Sequence, residues 1–550
     1  MSLRKRLRRV GGAVVTTLAG LLVFLALVMP DQIFRLAPGN FILNALVRIP
    51  IEALVGVAVL LALPERPRRI VATVLGFILG LLTIVKIVDM GFVAVLAREF
   101  DPVNDWPLFR DFYHFLEDST GKAGAVAAAA GAALLAVALL VGLTLSVRRL
   151  TRLLGPVAQP ARHTVVAFSS AWIVLTFFGI QIVGGIPVAA QSAAELARDT
   201  ALKVPQDIAD RKKFEAEVKA DAFAGLPHDQ LLTALRGKDV IIGFVESYGR
   251  GAVEDPKING VVLDRLRANQ EALTAKGFTA RTGFLTSSTF GGGSWLAHST
   301  FLSGLWIDSQ QRYRSVVSSD RLTLTRAFKQ AGFRSVGVEP GVTFAWPEGD
   351  FYGYDQVYDA HTLGYAGPAL NWSTMPDQFV MRKFQELEYA RRRGPLMAEI
   401  TLTSSHTPWT PVPTMLDWDK LGDGSVYGPM IRGAESTQSV LSDSAKAQHA
   451  YAKATAYSLD SLLGYLARYG DDDLVAVVLG DHQPASVVVG QGASKDVPIS
   501  IIAKDPKVLD RVANWGWTDG LIPAADAPAW RMDQFRDRFL TAFSPVGDPH

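Results

Sequence analysis

Apolar and polar positions follow two different rhythms along this chain, and the change of rhythm divides it. Up to about residue 188, long apolar runs alternate with short charged segments. Five runs stand out, at 11–29, 41–63, 70–97, 123–145 and 164–188. Each is long enough to cross roughly 30 Å of hydrocarbon as a helix. From residue 239 onward the apolar runs shrink to strand length, at 239–245, 277–282, 333–338, 396–402 and 474–479. Helical segments at 322–331, 378–392 and 445–469 lie between them, and a further one near 532–543 follows. Alternation of this kind predicts a largely parallel sheet covered on both faces. The intervening stretch, 189–238, is polar with interspersed Glu and Lys, and is predicted to be a helical linker. The expected organisation is a five-span membrane anchor over 1–188, the linker, and an α/β domain over 239–550.

Charge gives the first part a direction. Arg4, Lys5, Arg6, Arg8 and Arg9 precede the first run. The next basic loops are 65–69, with Arg66, Arg68 and Arg69, and 147–163, with Arg148, Arg149, Arg152 and Arg162. Basic loops stay on the cytoplasmic side, so these alternate segments are expected inside and everything after 188 outside. The loop 98–122 is acidic and carries Trp106, Phe109, Phe112, Tyr113 and Phe115, which suits a short amphipathic helix on the outer surface. A cleaved signal peptide is the rival reading of the start, but no Ala-x-Ala signal follows Met29 and four more runs do.

Composition narrows the chemistry. Mean hydropathy is +0.20, above that of most soluble enzymes. Net charge is +2, which gives no footprint for a nucleic-acid partner. There is no cysteine, so disulfides, thiolate nucleophiles and Cys-ligated zinc are excluded.

Two of the strands end in candidate ligands. The run 474–480 closes on Asp481-His482, and 239–245 closes on Glu246. The C-terminal tips of strands are where open α/β sheets place ligands. An Asp, a His and a Glu there suit one divalent cation; a helix cap with a surface histidine is the plainer reading of Asp481-His482. Between them lies Gly291-Gly292-Gly293-Ser294. Glycines let a backbone approach an anion, and Ser294 stands where a helix would begin, either as a nucleophile near the cation or as an ordinary N-cap. His406 follows the strand 396–402 in Thr403-Ser404-Ser405-His406 and can bind phosphate or protonate a leaving group, or be a solvated loop histidine. Trp346 reads as a stacking wall or as plain core.

This combination resembles the membrane-anchored branch of the sulfatase/alkaline phosphatase superfamily, nearest to lipoteichoic acid synthases and phosphoethanolamine transferases. The resemblance covers nearly the whole chain. It implies that Glu246, Ser294, Asp481 and His482 hold one divalent ion, manganese, zinc or magnesium, with Ser294 in place of the family's catalytic threonine. His406 and Trp346 then match substrate-binding positions. The motif that matures formylglycine in sulfatases is missing, since Trp295, Leu296, Ala297 and His298 follow Ser294. Where lipoteichoic acid synthases place a histidine and an arginine on glycerol phosphate, this chain has Glu339 and Glu348. Two carboxylates repel an anion and can welcome an amine or sugar hydroxyls. The implied activity is transfer of a phospho-alcohol group, phosphoglycerol or phosphoethanolamine in type, from a membrane phospholipid to a cell-envelope glycan or lipid. A phospho-seryl intermediate would form in a catalytic domain outside the cell membrane. The alternatives are a phosphodiesterase or sulfatase that uses water, and a non-catalytic sensor on an enzyme scaffold.

Overall fold

The computed structural model describes residues 3–28, 49–96, 98, 100–102, 104–106, 108–154, 158–177, 181–183, 186–187, 189–190, 209–370, 373–392, 394–490 and 492–545. They fall into two compact units, Met1–Ala94 with Arg98–Ile208 and Val95–Ala97 with Ala209–His550.

The first unit is helical: α1 (Leu3–Val28), α2 (Ile51–Ala62), α3 (Glu65–Leu96), α4 (Leu108–Leu154) and α5 (Ala158–Phe177). Three stretches are long and apolar enough to cross a membrane, Val10–Val28, Glu65–Val93 and Thr120–Leu153. They correspond to the first, third and fourth predicted spans. The second and fifth are met by shorter apolar helices, Ile51–Ala62 and His163–Leu175. Pro50 precedes α2 and Pro64 follows it; proline cannot continue the helical ladder, and the 12 residues left rise only about 18 Å. Residues 41–48 of that predicted span lie outside the described residues. The fifth span is helical only to Phe177. Beyond it, Gln181–Val183 and Ile186–Pro187 pair antiparallel, so the predicted helix does not reach 188. The β-branched Ile182, Val183 and Ile186 favour extended backbone there. The predicted surface helix within 98–122 is the first limb of α4, broken at Gly121 with φ 74°. Close packing of α3 on α4 needs glycine: a Cβ at Gly76 would lie 2.7 Å from the Thr144 Cα.

The second unit is built on one sheet of nine strands. These are β1 (Asp239–Val245), β2 (Thr279–Thr286), β3 (Arg334–Glu339), β4 (Gln356–Asp359), β5 (Leu396–Leu402), β6 (Leu474–Gly480), β7 (Asp496–Ala503), β8 (Thr518–Asp519) and β9 (Ala529–Arg531). Their order is β8-β2-β7-β6-β1-β5-β3-β4, with β9 also on β2. The block β6-β1-β5-β3-β4 is parallel, whereas β7 runs antiparallel between β6 and β2. The sheet is thus mixed and mostly parallel. β1, β5 and β6 are buried along their whole length, as strands covered on both faces must be.

On one face pack α6 (Asn259–Ala275), α9 (Asp377–Leu387) and the long α10 (Ser444–Tyr469), through residues such as Leu266, Phe379 and Leu462. On the other pack α7 (Ser294–Ser303), α8 (Leu324–Gln330) and α11 (Phe535–Phe543), through Phe301, Phe328 and Phe539.

The segment expected to serve as a linker packs into this second core from residue 209. Phe214, Phe223, Leu232 and Leu235 are all buried there. Asp221 faces Arg536 at 2.5 Å and Arg321 at 3.2 Å, and Arg536 also donates to the Ser303 carbonyl at 2.6 Å. Residues 191–208 lie outside the described residues. Arg536 is fully buried, so replacing it leaves the buried Asp221 carboxylate with Arg321 alone. Arg536→Met should therefore destabilise the fold by about 3–5 kcal/mol. A lowered thermal midpoint of the full chain in detergent checks this, and an unchanged midpoint would remove the ion pair from any structural role.

Candidate metal centre and nucleophile

Parallel registry brings the chemistry together. Gly480 pairs with Val245 across β6 and β1, so the residues that follow, Asp481 and Glu246, emerge side by side. The turn is tight: a Cβ at Gly480 would stand 1.8 Å from the Tyr248 carbonyl oxygen. Only glycine lets the two strand ends approach this closely. Ser247 takes a left-handed conformation, φ 58°, a strain often met at functional sites. It turns its N–H onto Asp481 Oδ1 at 2.7 Å and its hydroxyl onto Glu246 Oε1 at 2.7 Å. Ser405 donates to the Glu246 carbonyl, and Ser287 to the Asp481 carbonyl.

Ligand atoms of Glu246, Asp481 and His482 all lie within 4.8 Å of one another. The three residues are 3 %, 0 % and 1 % exposed. His482 Nδ1 donates to the Gln483 carbonyl at 2.8 Å, which fixes the tautomer and leaves the Nε2 lone pair facing inward. That Nε2 lies 3.4 Å from Glu246 Oε1 and 3.6 Å from Asp481 Oδ2.

Ser294 opens α7 behind Gly293, whose φ of 80° is left-handed and free of strain only for glycine. Its hydroxyl donates to Glu246 Oε2 at 2.9 Å and lies 3.1 Å from His482 Nε2. The four residues singled out from the sequence therefore meet at one point.

The electrostatics fit a cation. Burial, with the Glu246 charge beside it, pushes the Asp481 carboxyl up to about 7. Burial also opposes the Glu246 charge, but the His482 and His406 rings hold that carboxyl at about 2. His482 itself is raised, because Asp481 and Glu246 outweigh the effect of burial. Asp481 Oδ1 accepts both the Ser247 and the His482 N–H, whereas buried Oδ2 has no hydrogen-bond partner. An orphaned carboxylate oxygen beside a free imidazole lone pair and a second carboxylate is a donor set suited to a divalent metal.

The remaining predicted residues divide. His406 shares the field of Glu246 and His482, and burial lowers its basicity. Its Nδ1 donates to the Thr407 carbonyl at 2.6 Å. Trp346 is half-buried, 5.6 Å from the Tyr352 ring, and lines an open cleft of about 620 Å³ with Phe344, Tyr354 and His361. Glu339 is buried. Glu348 is exposed on the 3₁₀ turn Pro347–Phe351, so the two acids read together from the sequence stand in different environments.

Sequence reasoning missed Ser247, Glu399 and His298. Glu399 is the one charged residue in the apolar strand Leu396–Leu402, and His298 lies four residues after Ser294 on α7; both signals were present in the chain.

No family model matches the chain, and no curated protein matches it. Solved structures with similarity include a lipoteichoic acid synthase from Listeria monocytogenes, 16% identical, with 53% of this chain and 71% of that one covered and a TM-score of 0.35. A phosphoglycerol transferase from Streptococcus pyogenes is 14% identical, with 60% and 89% covered and a TM-score of 0.35. The C-terminal periplasmic domain of EcEptC from Escherichia coli, in complex with Zn, is 12% identical, with 57% and 88% covered and a TM-score of 0.36.

Metal uptake must displace the proton on Asp481. That carboxyl sits above its unfolded value, so without metal it stabilises the fold at low pH and loses that contribution as pH rises through about 7. Affinity for manganese or zinc should tighten as pH rises toward 7 and then level off, with proton release seen by calorimetry. The metal-induced rise in thermal midpoint should be larger at about pH 7.5 than at about pH 5.5. Asp481→Ala should abolish tight binding; retained affinity would rule out the centre.

Proposed function

We propose that the chain is a membrane-anchored phosphotransferase that moves a phospho-alcohol group from a phospholipid to a cell-envelope acceptor through a phospho-seryl intermediate. The observation that carries this reading is Ser294 Oγ seated between Glu246 Oε2 and His482 Nε2 at the start of a helix.

Glu246, Asp481, His482 and Ser294 would hold the ion. When bound, a divalent metal supplies Lewis-acid polarisation of phosphoryl oxygens and acidifies a neighbouring hydroxyl. The protein supplies the rest. Ser294 Oγ attacks phosphorus, the new O–P bond forms as the bond to diacylglycerol breaks, and the serine proton ends on the diacylglycerol oxygen. In the second half the acceptor oxygen takes the phosphorus and its proton returns to Ser294. His406, with Nδ1 tied to a carbonyl and its basicity lowered by burial, stands in the field of Glu246 and His482. It is suited to carry the proton in both halves. Trp346 forms an apolar wall, Glu339 and Glu348 bias the pocket against a second anion, and the α7 N-terminus favours the phosphate.

An anchor over 1–188, with the segment from 209 packed into the catalytic part, would hold that part outside the cell membrane beside its lipid donor. The three long apolar helices support an anchor, and proximity to the bilayer supplies effective concentration. Reporter fusions after Leu145 and after Val188 should read inside and outside. An inside signal from the Val188 fusion would end the model.

Ser294→Ala should remove turnover, a loss of about a thousandfold or more, yet keep lipid binding. Ser294→Thr should retain part of the rate. Mass spectrometry of the Ser294 peptide after incubation with mixed lipids should show a phospho-alcohol adduct, and labelled lipid separates transfer from hydrolysis. Near-wild-type turnover by Ser294→Ala would discard the covalent route.

A further inference from the structure

One buried ionisable cluster beside this site takes no part in the bond-making steps above. Glu339 ends β3, and Glu399 and Thr401 lie on the neighbouring β5. Strand registry puts Glu399 beside Ile242, and Thr401 beside Phe244, so these side chains share the face that carries α7. Glu399 is 2 % exposed and Glu339 9 %, so an entering group meets Glu339 first.

Elsewhere in the unit, buried carboxylates are compensated. Glu388 and Asp460 each meet an arginine, and Asp377 accepts two backbone N–H groups. Among the described residues no lysine or arginine pairs with Glu339 or Glu399. His298 Nδ1 lies 3.6 Å from Glu399 Oε1, but burial pulls that imidazole down to about 3, so it brings no charge. Burial pushes Glu339 up to about 8, and Glu399 is raised by burial and by Glu339.

Two further observations point to a ligand. Thr401, nine-tenths buried, directs its hydroxyl toward Glu339, and Oγ1 completes no hydrogen bond. Tyr354 lies over Gly337, where a Cβ would stand 3.2 Å from the ring, and its hydroxyl donates to Glu399. Tyr354 continues a row of rings to Tyr352 at 6.0 Å and Trp346 at 5.6 Å. Carboxylates, a free hydroxyl acceptor and aromatic faces together recognise an alkylammonium. A second metal fits less well, because among the described residues only the donor atoms of Glu246, Asp481 and His482 converge.

We infer that Glu339 and Glu399, with Thr401 and the Tyr354 ring, seat a positively charged amine, so that the transferred head group is amine-bearing. This rests on the phosphotransfer proposed at Ser294. His298 links the two sites: it lies one helical turn, about 6 Å along the axis, beyond Ser294 and stacks on Phe244 at 3.9 Å. A head group with its amine a few bonds from phosphorus spans such a gap.

The test uses the full chain in mixed micelles, with fluorescent phosphatidylethanolamine and phosphatidylglycerol as donors and diacylglycerol release as readout. The ratio of kcat/KM for the amine lipid to that for the glycerol lipid should favour the amine. Glu339→Gln and Glu399→Gln should each lower that ratio about tenfold or more, mainly through KM. In the Ser294→Ala protein, calorimetry should show glycerophosphoethanolamine binding more tightly than glycerophosphoglycerol, and Glu339→Gln should erase the difference. This arm needs no turnover, so it stands apart from failure of the covalent route, and it does not depend on Glu399→Gln folding. A wild-type preference for the glycerol compounds, or ratios unchanged in the variants, would overturn the inference.

Discussion

Everything at the C-terminal edge of this sheet answers to one electrostatic constraint. Parallel registry of β6 with β1 forces Asp481 and Glu246 out of water side by side. Two carboxylates in a medium of low polarity repel strongly, and each loses its hydration. The surroundings offset part of this. Two backbone N–H groups converge on Asp481 Oδ1, hydroxyls of Ser247 and Ser294 reach Glu246, and His482 turns its lone pair inward. None of them brings a permanent positive charge. The left-handed Ser247 and the crowded Gly480 are backbone features that exist to hold this arrangement.

That constraint explains why the centre was legible before the fold was known. Metal-ligating chemistry at strand ends depends on local patterns: an apolar run, then a polar residue at its tip. The parallel strands β1, β3, β5 and β6 were legible for the same reason, being continuous apolar runs of strand length. Of the antiparallel part, β2 was legible, as the run 277–282, and the rest was not. β7 carries Pro498 in its interior, which argues against a strand on sequence grounds, and β8 and β9 are two and three residues long. The segment from 209 reads as a linker because its helix is polar. What ties it down is Asp221 on Arg536, 315 residues away, which no local pattern contains.

The acids proposed to bear specificity show the same divide. Glu339 and Glu348 looked equivalent because both stand close to Trp346 in sequence. The fold buries the first against β5 and leaves the second on an exposed turn. The partner of Glu339 comes instead from Glu399, sixty residues on, through strand registry. Membrane crossing was legible only where apolar length was uninterrupted: Pro50 and Pro64 leave α2 with 12 residues, although the hydropathy of the longer run is continuous.

On the proposed reading, the two acidic groups on this face have complementary tasks. Glu246 and Asp481 are separated from Glu339 and Glu399 by the Phe244 ring, with His298 stacked over it. A divalent cation held at the first pair would neutralise the two carboxylates and offer phosphoryl oxygens a Lewis acid. The second pair has a donor in Tyr354 but no basic partner among the described residues, so an incoming ammonium would draw the proton off Glu339 and pair with the carboxylate. A substrate carrying phosphate at one end and an ammonium at the other would find a partner at both. A glycerol phosphate gains only the first. Discrimination arises because the uncompensated second pair favours the amine, while both ligands use the same metal centre. On the proposed reading, chemistry and selectivity are held by different strands: β1 and β6 would carry the reaction, and β3 and β5 would choose what undergoes it.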